Sequence, residues 1–184
     1  MKKLFILLIF IFTLGFAQEK PKPFGIELGV FTKEQTLQVI KKEGGKVVES
    51  GYRIIKGNIT NPNVEGIKVE GLPVDNLSHA LFWFYQGRLF QITYVFPLSM
   101  EKEEFYVLYR QLESKYGKPK KYVKPWLADG VAQWDFKDVR VRLIAPWVSR
   151  SMYLHYEHLP LSKQADQSDE EVLRRETSKP RRGL

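Results

Sequence analysis

Ser78–Phe96, SHALFWFYQGRLFQITYVF, decides how the rest of this chain is read, because it carries seven aromatic residues in one hairpin. Two alternating runs flank Gln86-Gly87, the two-residue spacing of a tight β-turn. A turn there sets the register and therefore the faces. In uninterrupted pairing Tyr85 opposes Arg88, Phe84 opposes Leu89, Trp83 opposes Phe90, Phe82 opposes Gln91 and Leu81 opposes Ile92. One face then carries Leu81, Trp83, Tyr85, Phe90, Ile92 and Tyr94, and is expected against helices. The other carries Ala80, Phe82, Phe84, Leu89, Gln91, Thr93 and Val95. It is too apolar for an ordinary wet face and too polar for a full core. Either the chain covers these rings, or Phe82, Phe84 and Leu89 form a surface held out for a partner.

A second hairpin further along alternates cleanly. The Lys137-Asp138 spacing puts Trp134, Phe136, Val139, Val141 and Leu143 on one face, and Gln133, Asp135, Arg140 and Arg142 on the other, with Asp135 opposite Arg140. Period-two runs also mark strands near Lys46–Lys56, Ile67–Val74, Tyr122–Trp126 and Met152–His158. Two segments switch to the helical period. In FTKEQTLQVIKKEGG, Thr32 and Gln35 have the spacing of a capping box and Gly44 supplies a stop. In SMEKEEFYVLYRQLESKYGKP, Ser99 is a candidate cap, acids fill the first turn, and Phe105, Leu108, Tyr109, Leu112 and Tyr116 recur on one face. Each helix is followed by antiparallel strands. The expected fold is therefore α+β, an antiparallel sheet packed by two helices, with a helix-then-strands unit used twice.

The chain begins MKKLFILLIFIFTLGFAQEK, a basic start, an apolar run from Leu4 to Leu14, and the small residues Gly15 and Ala17 before polar chain. This reads as a secretory signal over 1–17, cleaved after Ala17; the apolar run is short for a membrane helix, and no later segment is apolar enough to span. The protein is expected to be exported, either periplasmic or secreted. It has no cysteine, which excludes disulfides, a thiolate metal site and a lipidated Cys after the signal. A single domain over 18–160 is long enough to bury a core without such staples. The residues 161–184 are polar and lack aromatics, and read as a disordered tail with at most a short helix near Asp169–Arg175.

The formal net charge of +8 falls by two when Lys2 and Lys3 leave with the signal. Much of the remaining charge gathers in KYGKPKKYVKPW, where Lys118, Lys120, Lys121 and Lys124 alternate with Tyr122 and Trp126 and no acid interrupts them. Cations among stacking rings suit an anionic lipid headgroup or cell-wall glycan. Nucleic acid has the same chemistry but is disfavoured by export. The structural alternative is that these lysines complement a helix C-terminus and guard an edge strand.

No nucleophile elbow, P-loop, HExxH or dinucleotide fingerprint occurs, so no catalytic residue, metal site or cofactor is assigned. His155 and His158 stand three apart in a strand, on opposite faces, and His79 lacks an evident partner. The triplets at Asn58 and Asn76 match the glycan-acceptor pattern.

FGIELGVFTKEQTLQVI, and FWFYQGRLFQITYVFP followed by a helix ending LESKYGKP, resemble stretches of small exported bacterial proteins of unknown function. Their two-layer build is similar to that of β-lactamase inhibitor protein and of SmpA/OmlA-type outer-membrane accessory domains. The resemblance covers Phe24 to His158 and implies a non-enzymatic module that binds another envelope protein; it carries over no functional residue, and Phe82, Phe84 and Leu89 are the expected surface from the hairpin alone. The lipobox cysteine and the inhibitor's disulfide cysteines are both missing here.

Overall fold

The computed structural model describes residues 20–179; the signal expected over 1–17 and the last residues, 180–184, lie outside the described residues. Lys33–Lys42 form α1, which opens on the capping box: Thr32 Oγ1 accepts from the Gln35 amide at 3.3 Å, and the Thr32 amide donates to Gln35 Oε1 at 2.9 Å. Four strands follow, β1 (Lys46–Lys56), β2 (Ile59–Glu70), β3 (His79–Tyr85) and β4 (Arg88–Pro97). Then come α2 (Glu103–Tyr116), β5 (Lys121–Val123), β6 (Gly130–Phe136), β7 (Val139–Ala145), β8 (Ser151–His158) and α3 (Leu159–Thr177). The fold is α+β.

Among the described residues, all eight strands join one antiparallel sheet in the order β1-β2-β3-β4-β8-β7-β6-β5. Each helix-then-four-strands unit contributes one half, and the last strands of the two units, β4 and β8, pair at the centre. β1 and β5 are consequently the two edges.

The hairpin that decides the faces departs from uninterrupted pairing. Gln86 and Gly87 both take positive φ, 48° and 77°, as a type I′ turn requires, and Tyr85 opposes Arg88 as expected. Phe84 opposes Leu89, but Trp83 then opposes Gln91, so Phe90 is the extra residue of a β-bulge. Beyond it every pair moves by one: Phe82 faces Ile92 and Ala80 faces Tyr94. The inner face therefore carries Phe82, Phe84 and Leu89 with Ile92 and Tyr94. These share one core with Ile40 of α1, Phe105 and Leu112 of α2, and Val141, Leu143 and Leu154 from the other half. Leu81, Trp83, Tyr85 and Phe90, expected inside, point to the opposite face.

That opposite face is covered by α3, which corrects the expectation of a disordered tail from 161. Val64, Phe90 and Ala165 form a second buried cluster with Trp83, Tyr85 and Leu161. The helix starts where Pro160 suits a first turn and His158 Nδ1 accepts from the Leu161 amide at 3.4 Å. Its buried residues are Ser162, Ala165 and Ser168, small and three apart, so the helix lies close to the sheet. Asn61 Nδ2 donates to Ser168 Oγ at 3.1 Å and to Asp169 Oδ1 at 2.7 Å, and Arg53 Nη2 reaches Asp169 at 2.7 Å. These contacts also explain why β2 begins at Ile59 rather than near Ile67: its polar first half is the seat of α3. At the start of α2, Ser99 is not the cap. Lys102 takes that position in a left-handed conformation, φ 61°, while the Ser99 amide and hydroxyl both donate to the Glu104 carboxylate.

Candidate functional site

Phe82, Phe84 and Leu89 each have no exposed surface, so they are core and cannot meet a partner. The bulge at Phe90 is the cause, since it moves Ile92 and Tyr94 of β4 onto the face of Phe82 and Phe84 and so makes that face the apolar one.

The basic segment is placed differently. Gly117 ends α2, its carbonyl accepting from Trp134 Nε1 at 2.8 Å, and the chain then runs along the sheet margin as β5, paired only to β6. Strand alternation cannot bury a three-residue edge, and Lys118, Lys120, Lys121, Tyr122, Lys124 and Trp126 are all exposed. They do not form one uniform site. Lys120 Nζ bonds Asp135 Oδ2 at 2.8 Å, and Arg140 Nε donates to Asp135 Oδ1 at 2.9 Å. Burial opposes ionisation of Asp135, but the hydrogen bonds from Lys120 and Arg140 outweigh it and hold its carboxyl below the ordinary range. Lys120 thus ties the margin to the sheet. Tyr122 rests its ring on Tyr109, centroids 4.7 Å apart. Among the described residues, Lys118, Lys121 and Lys124 have no ion-pair partner. Trp126, which follows them in the chain, is 73% exposed.

Two further loops come to the end of the sheet where Trp126 lies. The backbone amide of Trp147, in the β7–β8 loop, donates to Asp129 Oδ1 in the β5–β6 loop at 2.8 Å. Pro125 is buried against Gly130, where a Cβ would stand 2.6 Å from the proline ring, and this pins the base of the same loop. Lys102, from the β4–α2 loop, is 5% exposed and donates through Nζ to the carbonyls of Pro146 at 3.1 Å and Ser149 at 3.2 Å. The loop bases are therefore fixed while the tips face water: Met100 73%, Leu127 70%, Trp147 51% and Val148 93% exposed. Sequence reading missed these four because they are spread over three loops far apart in the chain. Pro125-Trp126-Leu127 and Pro146-Trp147-Val148, two Pro-Trp-aliphatic triplets, were the available signal.

The histidines lie apart from this margin and are used within the fold. His155 Nδ1 is 2.9 Å from Thr93 Oγ1; burial, aided by Arg142, lowers its pKa to about 4. His158 packs on Gly29 and has Nε2 3.6 Å from Asp138, and His79 Nδ1 meets Ser78 Oγ at 3.1 Å. Among the described residues, no three His, Asp or Glu side chains are grouped to hold a metal ion.

The sheet, its two edges and the first half of α3 all fall within residues 23–168, the span matched by the family model of the TP0088 domain. The chain belongs to the TP0088 domain family. The matched span passes the boundary expected at residue 160 and ends at Ser168, the residue that Asn61 and Asn63 hold. No curated protein and no solved structure matches the chain.

Proposed function

We propose that this TP0088 domain is an exported, non-enzymatic binding module of the bacterial envelope, and that it attaches to an anionic surface through the β5 margin. One observation carries the reading: the aromatic hairpin is sealed, whereas Lys118, Lys121, Lys124 and Trp126 stand in solvent along a single edge. Lysines held near a surface by a rigid strand attract anionic lipid or glycan, and the attraction weakens with salt. The helix-then-strands unit used twice resembles, on the sequence stretches quoted above, β-lactamase inhibitor protein and SmpA/OmlA-type accessory domains, and that resemblance implies binding rather than catalysis.

Retention of the chain from residue 18 on an immobilised sulfated polysaccharide, a generic polyanion, tests this. A Lys118→Glu, Lys121→Glu, Lys124→Glu variant is expected to elute at much lower salt. A variant with the same net charge, Lys41→Glu, Lys42→Glu, Lys56→Glu, reverses exposed lysines elsewhere and is expected to stay close to wild type. Equal losses in the two would mean that only net charge matters and would remove the site.

A second reading, capture of another envelope protein by strand addition, is favoured by β1. This edge strand runs for 11 residues and exposes Val47, Val48, Tyr52 and Ile54, with Ile54 68% exposed. A partner bound there would be released by Ile54→Lys and would be indifferent to salt.

A further inference from the structure

We propose that Met100, Trp126, Leu127, Trp147 and Val148 insert together into the interfacial layer of a lipid bilayer, which makes the anionic surface of the preceding reading a membrane. The inference rests on that reading for the charge and on separate residues for the insertion. Five large apolar side chains exposed by half or more, drawn from three loops, are an unusual use of a small domain's surface. Their loop bases are fixed by Asp129, Pro125 and the buried Lys102 ammonium, so no loop has to be ordered on binding. A protein meant only to stay dissolved gains nothing from holding Val148 out at 93% exposure.

The residue types choose the occupant. Tryptophan prefers the headgroup boundary, where its ring is apolar and its N–H stays wet, and aliphatic tips beside it reach the acyl boundary. Lysine and arginine beside such tips meet lipid phosphate. Lys124 directly precedes the Pro125-Trp126-Leu127 tip and Arg150 lies two residues after Val148, both exposed, with Lys121 and Lys118 further back along the margin. Two of the acids at this end serve internal bonds, Asp129 to the Trp147 amide and Glu104 to Ser99. Glu101 and Glu103 stay exposed on the α2 side, which orients the β5 side toward the anionic surface. Among the described residues no helix is long and apolar enough to cross a membrane, so the contact proposed is peripheral.

The test is co-sedimentation of the chain from residue 18 with phosphatidylcholine vesicles, with and without phosphatidylglycerol, together with tryptophan quenching by lipids brominated along the acyl chain. Wild type is expected to bind the phosphatidylglycerol vesicles and to be quenched. A Leu127→Asp, Val148→Asp variant, altered only at exposed tips, is expected to partition about tenfold less. Trp126→Phe, Trp147→Phe is expected to bind nearly as well but to lose the quenching, because the chain's other tryptophans are the buried Trp134 and the half-buried Trp83 under α3. Salt-sensitive binding that is neither quenched nor weakened by the aspartates would overturn insertion and leave the anionic reading standing. Binding that needs the tips yet ignores both phosphatidylglycerol and the Lys118, Lys121, Lys124 reversal would keep insertion and overturn the anionic reading. Quenching that persists without Trp126 and Trp147 would overturn insertion at these loops.

Discussion

Replacing Leu81 and Phe82 one at a time by alanine separates the bulged register from an uninterrupted one, because the two registers send these neighbours to opposite faces. Phe82 has no exposed surface, lies opposite Ile92 and belongs to the core that also holds Phe105 and Leu154. Its truncation combines the lost transfer energy with a cavity in a packed core, so Phe82→Ala should cost about 3–5 kcal/mol. Leu81 lies half-buried on the outer face and recovers only part of the roughly 1.5–3 kcal/mol that full burial supplies, so Leu81→Ala should cost about 1 kcal/mol. Against the ~5–15 kcal/mol typical of a domain, the first loss is large and the second slight. Urea unfolding followed by far-ultraviolet circular dichroism measures both, with unchanged slopes showing that the unfolding reaction is the same. If Leu81→Ala cost more than Phe82→Ala, the bulge at Phe90 and the face assignment built on it would be wrong.

Three further outcomes are expected. Ala165→Glu places a carboxylate against Phe90 and Val64 where no surface is exposed, and should release α3; amide exchange over 159–177 should then accelerate while β6–β7 stays protected. His155 is held neutral by burial, with its folded pKa of about 4 below the ordinary 6.5, so the unfolded chain takes up the proton first as pH falls. Its contribution is therefore complete above about pH 6.5 and lost progressively toward pH 4, as much as about 3 kcal/mol, and a His155→Gln variant measured beside wild type should show a shallower loss over that window. Thr32→Ala removes the capping box of α1 and should lower stability by about 1 kcal/mol in the same urea assay.

Much of the sheet was legible because most of its strands are half-buried and obey period two. β1, β3, β4, β6, β7 and β8 lie within a residue or so of their expected bounds, and Asp135 opposes Arg140 as the second hairpin requires. The bulge was illegible for a physical reason: one extra residue leaves the composition of a strand unchanged and inverts the face of everything beyond it. Phe90 reads like any other strand aromatic. α3 was hidden because its buried stripe is Ser162, Ala165 and Ser168, residues too small and polar to register as an apolar face. They are buried by close approach and by the Asn61 and Asn63 hydrogen bonds to Ser168, which join residues more than a hundred positions apart. Of the candidate site, the lysines and Trp126 were visible as a local run. Met100, Trp147 and Val148 join that end of the molecule only through Lys102 and Asp129, long-range tethers that no local pattern encodes.

On the function proposed above, this domain meets its surroundings through the β5 margin and its neighbouring loops, while the aromatic hairpin is interior. Oxidative footprinting of the chain from residue 18, free and with phosphatidylglycerol vesicles, reads both faces at once. Trp126, Trp147 and Met100 are expected to be labelled in the free protein and protected by vesicles, with Phe82 and Phe84 unlabelled in both. Labelling of Phe82 and Phe84 in the free protein, or protection confined to Tyr52 and the β1 edge, would contradict this reading.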